Sequence, residues 1–163
     1  MAEQVKDCKG NCSCNSYLHT AFSRPIIHRN KQLENIFLDQ NNVAKLTEFS
    51  PSISIPKGGT HAVVDYLGGT AEFICPNYFS TFYVMEIVDA YSFGSFLLEL
   101  LTGRRLGHLA QAAKDEGGGG AGVEQQVQAV LQLALICREQ DPEIRPNMID
   151  VTKELRNIER FIP

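Results

Sequence analysis

The first side chains able to do chemistry are thiols near the start of the sequence. Cys8, Cys12 and Cys14 precede His19, and both residue types bind zinc in proteins. Their C-x3-C-x-C spacing matches no common zinc pattern. We therefore expect no metal site, but free thiols on a disordered leader at residues 1–15. Palmitoylation of these thiols is left open.

A run of four glycines at 117–120 is a second candidate. Glycine-rich loops bind phosphate when they follow a strand and lead into Gly-Lys-Ser/Thr. Neither feature is found around this run. We interpret residues 112–122 as a flexible, glycine-rich connection.

The strongest chemical pattern is the sequence IIHRNKQLEN at residues 26–35. It resembles the catalytic loop of eukaryotic protein kinases, H-R-D-x-x-x-x-N, with Asn30 in place of the aspartate. His28, Arg29 and Asn35 match the other positions. In that family the aspartate accepts the proton of the substrate hydroxyl, and a neutral amide does not.

Four further motifs follow in the order found in kinases. LTEFS places Glu48 and Phe49 where kinases have Asp-Phe of D-F-G, and ICPN places Asn77 where they have the glutamate of A-P-E. VDAYSFG contains Asp89, which by the resemblance accepts hydrogen bonds from the catalytic-loop backbone. DPEIRP contains Arg145, which matches the arginine that pairs with the A-P-E glutamate.

The amino-acid sequences of these segments also resemble those of plant receptor-like kinases of the wall-associated type. Within that group they are similar to the ZED-related kinases, many of which are pseudokinases that serve immune receptors. The resemblance implies a mainly α (α+β) fold, the C-terminal large lobe of a kinase, at residues 16–163 with a small β-hairpin. No Gly-rich loop or following lysine precedes residue 16. We therefore expect the N-terminal lobe to be absent.

Several groups that the family uses for phosphate transfer are changed. The lysine that contacts the γ-phosphate is replaced by Gln32. Glu48 replaces the magnesium-binding aspartate and moves the carboxylate by roughly 1 Å, which Mg²⁺ tolerates badly. Only Asn35 remains of the metal ligands. The resemblance implies ATP and Mg²⁺ for the family, but together with Asn30 these changes predict that both are lost and that the chain is not an enzyme.

The remaining family positions are structural. By the resemblance, His28 and Phe49 stack in the internal hydrophobic spine. Asn77 leaves Arg145 without its carboxylate, and removing one partner of a buried ion pair costs about 3–5 kcal/mol. We expect a loose lobe, or a new carboxylate partner for Arg145 such as Glu143.

Hydrophobic patterns predict the elements that position these residues. In the expected hairpin, Asn41-Asn42 tolerates the backbone of a tight turn. Val127 is expected on the buried face of an amphipathic helix, and Asn147 is expected to cap the last helix. The predicted elements are the hairpin at 35–46, a helix buried on nearly every face at 85–103, and amphipathic helices at 123–137 and 147–161.

Composition limits the partners and the compartment. The 163 residues carry 15 Lys+Arg and 19 Asp+Glu, a net charge of −4, so nucleic acid is not an expected partner. No apolar run is long enough for a transmembrane segment, and no secretory signal is found. Five cysteines without such a signal favour a reducing, cytoplasmic location. Peripheral attachment to the plasma membrane is left open.

We interpret the chain as a catalytically inactive, kinase-like adaptor in plant immune signalling. The resemblance to ZED-related kinases implies a protein partner, either a nucleotide-binding leucine-rich-repeat immune receptor or another kinase, near residues 50–77. Two alternatives stay open: a fragment of a serine/threonine receptor-like kinase, and a non-functional gene remnant. The face around Phe49, His28 and the hairpin is expected to be exposed and apolar.

Overall fold

Helices dominate the part of the chain that this computed structural model describes, which is residues 11–106 and 121–160, with side chains at 16–106 and 125–160. The helices within those ranges are α1 (Asn11–Thr20), α2 (Pro76–Thr81), α3 (Glu86–Thr102), α4 (Ala121–Cys137) and α5 (Met148–Arg160). The strands are β1 (Ile26–Ile27), β2 (Ile36–Leu38), β3 (Ala44–Leu46), β4 (Ile53–Ser54), β5 (Ala62–Val63) and β6 (Tyr83–Val84). The mainly α (α+β) fold class is confirmed.

The predicted hairpin is formed by β2 and β3, which pair in antiparallel fashion. In its turn the carboxylate of Asp39 accepts hydrogen bonds from the backbone N–H groups of Asn41 and Val43, each at 2.9 Å. Asn42 takes the left-handed backbone conformation, with φ of 58°. The turn therefore lies where the asparagine pair predicted it.

Two further antiparallel pairs were not predicted. β1 pairs with β4, and β5 pairs with β6, where Val63 lies opposite Tyr83. Each of these strands has two residues. Two residues are too few to show the alternation by which a strand is recognised in a sequence.

The central helix α3 is buried on most of its sides, as predicted for residues 85–103. It ends at Gly103, whose φ of 63° gives the left-handed end of a helix. At Gly94 it meets α4 so closely that an added Cβ would lie 2.6 Å from Cβ of Cys137. The core around this contact consists of Ala90, Phe93, Phe96, Leu97, Leu133, Ala134, Cys137, Met148, Val151 and Ile158.

The two C-terminal helices lie where they were predicted. Not every residue that was predicted to be buried in them is buried. Val127 is exposed, contrary to expectation. It lies seven residues, about 10 Å of helix, before Ala134 at the close contact with α3. In α5 the side-chain oxygen of Asn147 accepts hydrogen bonds from the N–H groups of Ile149 and Asp150, each at 3.0 Å, and so caps the helix as predicted.

The structure differs from the predicted leader and connection at their edges. α1 begins at Asn11, inside the predicted leader at 1–15, and α4 begins at Ala121, inside the connection predicted at 112–122. Residues 1–10 and 107–120, with the thiol side chains of the leader, lie outside the described residues. Leu18 near the end of α1 is fully buried, and packing of that turn stabilises the helix before it. No described helix combines the length and the apolar character that a membrane span requires.

Candidate functional site

The carboxylate of Asp89, in the first turn of α3, lies at the centre of the candidate site. Its two oxygens accept hydrogen bonds from the backbone N–H groups of His28 and Arg29, each at 2.9 Å. Asp89 is fully buried, so both bonds are shielded from water. They hold residues 26–35 against the helix.

Two cationic or ionisable side chains also contact Asp89. His19 Nε2 lies 2.9 Å and Lys31 Nζ 2.6 Å from Oδ2 of Asp89. Burial raises the pKa of Asp89, but Lys31 and His19 lower it by more, so the net pKa lies far below its usual range. The carboxylate is therefore ionised at every physiological pH.

Sequence reasoning missed Lys31. The motif comparison singled out Gln32 instead, because the family has its lysine at that position. The signal available in the sequence was a lysine directly after Asn30, in a segment otherwise expected to pack against a buried helix. The structure turns this lysine inward to Asp89, so that it does not face a ligand.

Asn30 joins the loop to the segment that precedes α2. Its Oδ1 accepts hydrogen bonds from N and Oγ1 of Thr70, at 3.2 and 3.0 Å. Asn35 donates from Nδ2 to the backbone oxygen of Asn30 at 2.8 Å. An amide oxygen accepts hydrogen bonds but does not take up a proton near neutral pH. This arrangement fixes the conformation of the loop, and it places no general base at position 30.

His28 is buried beside Phe49, with their rings in an edge-to-face contact and centroids 4.8 Å apart. Nε2 lies 2.9 Å from the carbonyl oxygen of Thr47, and Nδ1 accepts the N–H of Asn30 at 3.3 Å. Both contacts are made together only by a neutral ring that carries its proton on Nε2. Burial lowers the pKa of His28 to about 4, although the nearby Asp89 raises it.

The expectation of an exposed apolar face around His28 and Phe49 is wrong at His28. That side chain is fully buried, and Phe49 is half-buried against the core cluster of Leu18, Ile26 and Leu46. Pairing of β1 with β4 and the bonds to Asp89 draw this part of the loop into the interior. Exposed apolar side chains do occur on the hairpin, at Phe37 and Leu38.

Arg29 connects three segments through a buried guanidinium group. Nε donates to the carbonyl oxygen of Pro51 at 2.5 Å, and Nη1 donates to the hydroxyl of Tyr78 at 2.8 Å. The same hydroxyl accepts the N–H of Gly68 at 2.9 Å, and an added Cβ on Gly68 would lie 2.8 Å from Nη2 of Arg29. This guanidinium is engaged inside the protein.

Glu48 is exposed and takes the left-handed backbone conformation, with φ of 57°. Its Oε1 accepts hydrogen bonds from the hydroxyl and the N–H of Ser50, and these lower the pKa of Glu48. Gln32 is half-buried, and its backbone oxygen accepts the N–H of Asn35 at 3.0 Å. No group of three or more His, Cys, Asp or Glu within the described ranges is arranged to hold a metal ion.

The two cations of the loop, Arg29 and Lys31, are bonded inside the protein and do not serve an ATP–Mg²⁺ complex. Glu48 is held by Ser50, and Lys31 is held by Asp89. Asn35 donates from its side-chain NH2 group to the backbone of Asn30, which engages the nitrogen of the amide and not the oxygen that Mg²⁺ would bind. A phosphate chain with its metal ion needs cations and oxygen ligands that face outward.

Arg145 takes no carboxylate partner within the described residues, and the expected partner Glu143 is exposed. Its Nε and Nη2 donate instead to the carbonyl oxygens of Glu139 and Gln140, at 2.6 and 2.8 Å. The guanidinium carbon lies 5.2 Å from the ring centroid of Tyr91. The chain reverses between α4 and α5, which directs these carbonyl groups toward the arginine.

Asn77 lies in the first turn of α2, and its side-chain amide atoms are buried. Neither Nδ2 nor Oδ1 has a hydrogen-bond partner among the described residues, and the same is true of Nη1 of Arg145. The thiol of Cys75 lies beside the guanidinium of Arg145, and burial raises the pKa of this thiol. Neither Asn77 nor Arg145 takes part in the hydrogen bonds and ion pairs that the structure gives for Asp89.

Most of the predicted residues therefore fall into two groups, which Gln32 and Glu48 do not join. Those around Asp89 are His28, Arg29, Asn30, Asn35 and Phe49. In the second group Arg145 lies on the ring of Tyr91, and Asn77 directly precedes Tyr78 of the same core cluster. The structure adds side chains that the motifs did not indicate: His19, Lys31, Thr70 and Tyr78.

Comparisons with known proteins agree with the motif order. The family of the protein kinase domain matches residues 10–158. Curated relatives from Arabidopsis thaliana include "Non-functional pseudokinase ZRK2", 37% identical over 88% of this chain and 47% of its own length. "Non-functional pseudokinase ZED1" is 35% identical over 97% of this chain and 56% of its own length. "Wall-associated receptor kinase-like 4" is 33% identical over 88% of this chain and 21% of its own length.

The predicted similarity to ZED-related pseudokinases and to wall-associated kinases is therefore confirmed. The chain spans about half the length of the ZRK2 and ZED1 proteins. The family match covers most of the described helices, the hairpin and both groups of side chains. The chain belongs to the family of the protein kinase domain.

Proposed function

We propose that this chain is a pseudokinase module that has no phosphotransfer activity and acts by binding other proteins. The observation that carries the proposal is the contact of Asn30 Oδ1 with N and Oγ1 of Thr70. An aspartate would accept the same two hydrogen bonds and also take the proton of a substrate hydroxyl. Asparagine keeps the first ability and lacks the second.

The charged side chains nearby support the same conclusion. Lys31 is paired with Asp89, Arg29 is bonded to Pro51 and Tyr78, and the Glu48 carboxylate is bonded to its own chain. Transfer of a phosphoryl group depends on cations and a metal ion placed against the phosphates. The relatives ZRK2 and ZED1 are both called non-functional pseudokinases, which also favours this proposal.

The surface we propose for a protein partner is the β5–β6 ribbon with its neighbours. Val63 and Tyr83 lie directly opposite each other on the two strands and are 65% and 44% exposed. Tyr66 and Phe79, on the adjoining segments, are also exposed. Exposed apolar side chains gathered on one segment are typical of protein-binding surfaces. Val63 and Tyr66 lie within residues 50–77, where the partner is expected.

The resemblance to ZED-related kinases supports a specific class of partner. We propose a cytoplasmic adaptor in plant immune signalling that binds a leucine-rich-repeat immune receptor or another kinase. Peripheral attachment to the plasma membrane through the thiols near the start of the sequence stays open. The limit at residue 16 stays a proposal for the kinase-like lobe, and α1 and the family match reach back to residues 11 and 10.

Co-purification from plant tissue tests the proposal. The tagged full chain is compared with V63E, which places a charge on the ribbon, and with I144E, a matched control at a position 56% exposed before α5. We expect the wild type and I144E to recover the same receptor or kinase, identified by mass spectrometry, and V63E to lose it about tenfold. Equal recovery by all three would contradict the ribbon as the binding surface, and no recovery by the wild type would contradict an adaptor role.

A second candidate is part of an active serine/threonine receptor-like kinase. It is favoured by the match to Wall-associated receptor kinase-like 4 and by the half-length coverage of the first relatives. Genomic sequence upstream that encodes a Gly-rich loop and its lysine in frame would support this candidate. Phosphotransfer by that longer product would then establish it.

A further inference from the structure

Two guanidinium groups lie over one buried aromatic ring. The guanidinium carbons of Arg138 and Arg145 lie 4.7 and 5.2 Å from the ring centroid of Tyr91. Neither forms an ion pair within the described part of the chain. Arg138 donates to the hydroxyl of Ser95, which is neutral. A buried or half-buried cation without an ion-pair partner is unfavourable unless an anion lies near it.

Unmade hydrogen bonds mark where such an anion would lie. Arg145 is only 5% exposed, yet its Nη1 has no acceptor among the described residues. The buried Nδ2 of Asn77 also lacks an acceptor there. Buried donors in proteins are nearly always bonded, to protein, water or an ion. The buried Oδ1 of Asn77 also lacks a partner among the described residues, so an anion would lie on the NH2 side of this amide. Two unbonded donors beside an uncompensated positive charge favour an acceptor that is itself charged.

The contacts of neighbouring residues bring these two donors to the same region. The thiol of Cys75, two residues before Asn77, lies beside the Arg145 guanidinium. Tyr78, directly after Asn77, belongs to the same core cluster as Cys75 and Tyr91. The side chains of Asn77 and Arg145 therefore both lie next to this apolar cluster.

We propose that Asn77 and Arg145 bind one small monovalent anion, such as formate, acetate or chloride. Nη1 of Arg145 and Nδ2 of Asn77 donate to it, and its charge offsets the two guanidinium groups. A water molecule would satisfy the same donors but would leave both positive charges uncompensated. Because both donors are buried, we expect a small anion to be admitted and a bulky one to be excluded.

Thermal unfolding of the full chain in a series of sodium salts at constant ionic strength tests the site. A ligand that binds only the folded state raises the unfolding midpoint. We expect formate at about ten times its dissociation constant to raise the midpoint by about 3–5 °C. Acetate and chloride should act in the same direction, and the bulky pivalate ion should have no effect. An equal effect of pivalate would overturn the proposal, because it would show a general effect of salt.

The variant N77E supplies a carboxylate from the chain itself and is the matched comparison. We expect N77E to unfold at a higher temperature than the wild type and to gain nothing from formate. N157E, an exposed position on α5, should respond to formate as the wild type does. Equal gains from formate in N77E and the wild type would overturn the proposal. If N77E does not fold, isothermal titration of the wild type with formate decides, and no measurable binding overturns the proposal.

Discussion

Lys31 Nζ lies 2.6 Å from Asp89 Oδ2, and both side chains are at most 1% exposed. The carboxylate that receives this lysine also accepts the backbone N–H groups of His28 and Arg29. One residue of α3 therefore fixes the loop through its backbone and through its lysine. The lysine next to Asn30 is bound inside the protein and does not face a phosphate group.

The Lys31–Asp89 pair should contribute strongly to stability. We expect K31M to lower the free energy of unfolding by about 3 kcal/mol, because it leaves a buried carboxylate without its cation. The loss should lie at the lower end of the usual range, since His19 and two N–H groups still bond to Asp89. Urea unfolding measures it. K153M, which removes an exposed lysine, should cost less than about 0.5 kcal/mol, and an equally small cost for K31M would refute the role given to the pair.

Protonation of His28 should destabilise the fold at mildly acid pH. The pKa of His28 is lowered from 6.5 to about 4 by burial, so the unfolded chain binds the proton more tightly. The contribution to stability is full above pH 6.5 and falls as the pH drops toward 4. Between pH 7 and 4.5 we expect a loss of about 2–3 kcal/mol in urea unfolding. H28N should remove most of this slope while H61N keeps it, and an unchanged slope in H28N would assign the effect elsewhere.

Asn30 should act as a structural acceptor for Thr70. We expect N30A to cost about 1–2 kcal/mol in the free energy of unfolding, because it leaves N and Oγ1 of Thr70 without their acceptor. N30D retains an oxygen acceptor and should stay within about 0.5 kcal/mol of the wild type. N157A, at an exposed position, serves as the control. In a T70V background the cost of N30A should shrink, and an undiminished cost would show that Thr70 is not its partner.

Restoring two family residues should not restore activity. We expect N30D/Q32K to transfer no phosphate from radiolabelled ATP in the presence of Mg²⁺. The reason is that Glu48 remains in place of the metal-binding aspartate and stays bonded to Ser50, and Mg²⁺ tolerates a displaced carboxylate badly. The wild-type chain measured in parallel sets the background. Autophosphorylation of the double variant above that background would contradict the proposed inactivity.

A carboxylate at position 77 should stabilise the chain through Arg145. Asn77 and Arg145 both carry buried polar atoms without partners among the described residues, so we expect N77E to raise the free energy of unfolding by about 1–2 kcal/mol. A double-mutant cycle with R145L measures the coupling, and the gain should vanish in the R145L background. No gain, or a gain that survives R145L, would mean that the two residues do not face each other.

Local chemistry made several features predictable from the sequence. The left-handed conformation of Asn42 in the hairpin and of Gly103 after α3 follows from the residue types that accept it. The cap at Asn147 depends on N–H groups only two and three residues away. The order of the kinase motifs was likewise recognisable in the sequence, because each motif is a short run of adjacent residues.

Only the tertiary structure decided which distant groups meet. Whether Lys31 faces a ligand or the interior depends on α3, which lies almost sixty residues later in the chain. Arg145 donates to two backbone carbonyl groups because the turn after α4 directs them toward it. Every residue has a backbone carbonyl group, so the sequence does not indicate which ones an arginine will contact. Val127 is exposed because α4 meets α3 near Ala134 and Gly94. Side-chain patterns record the period of an element, whereas its contacts depend on where packing places its neighbours.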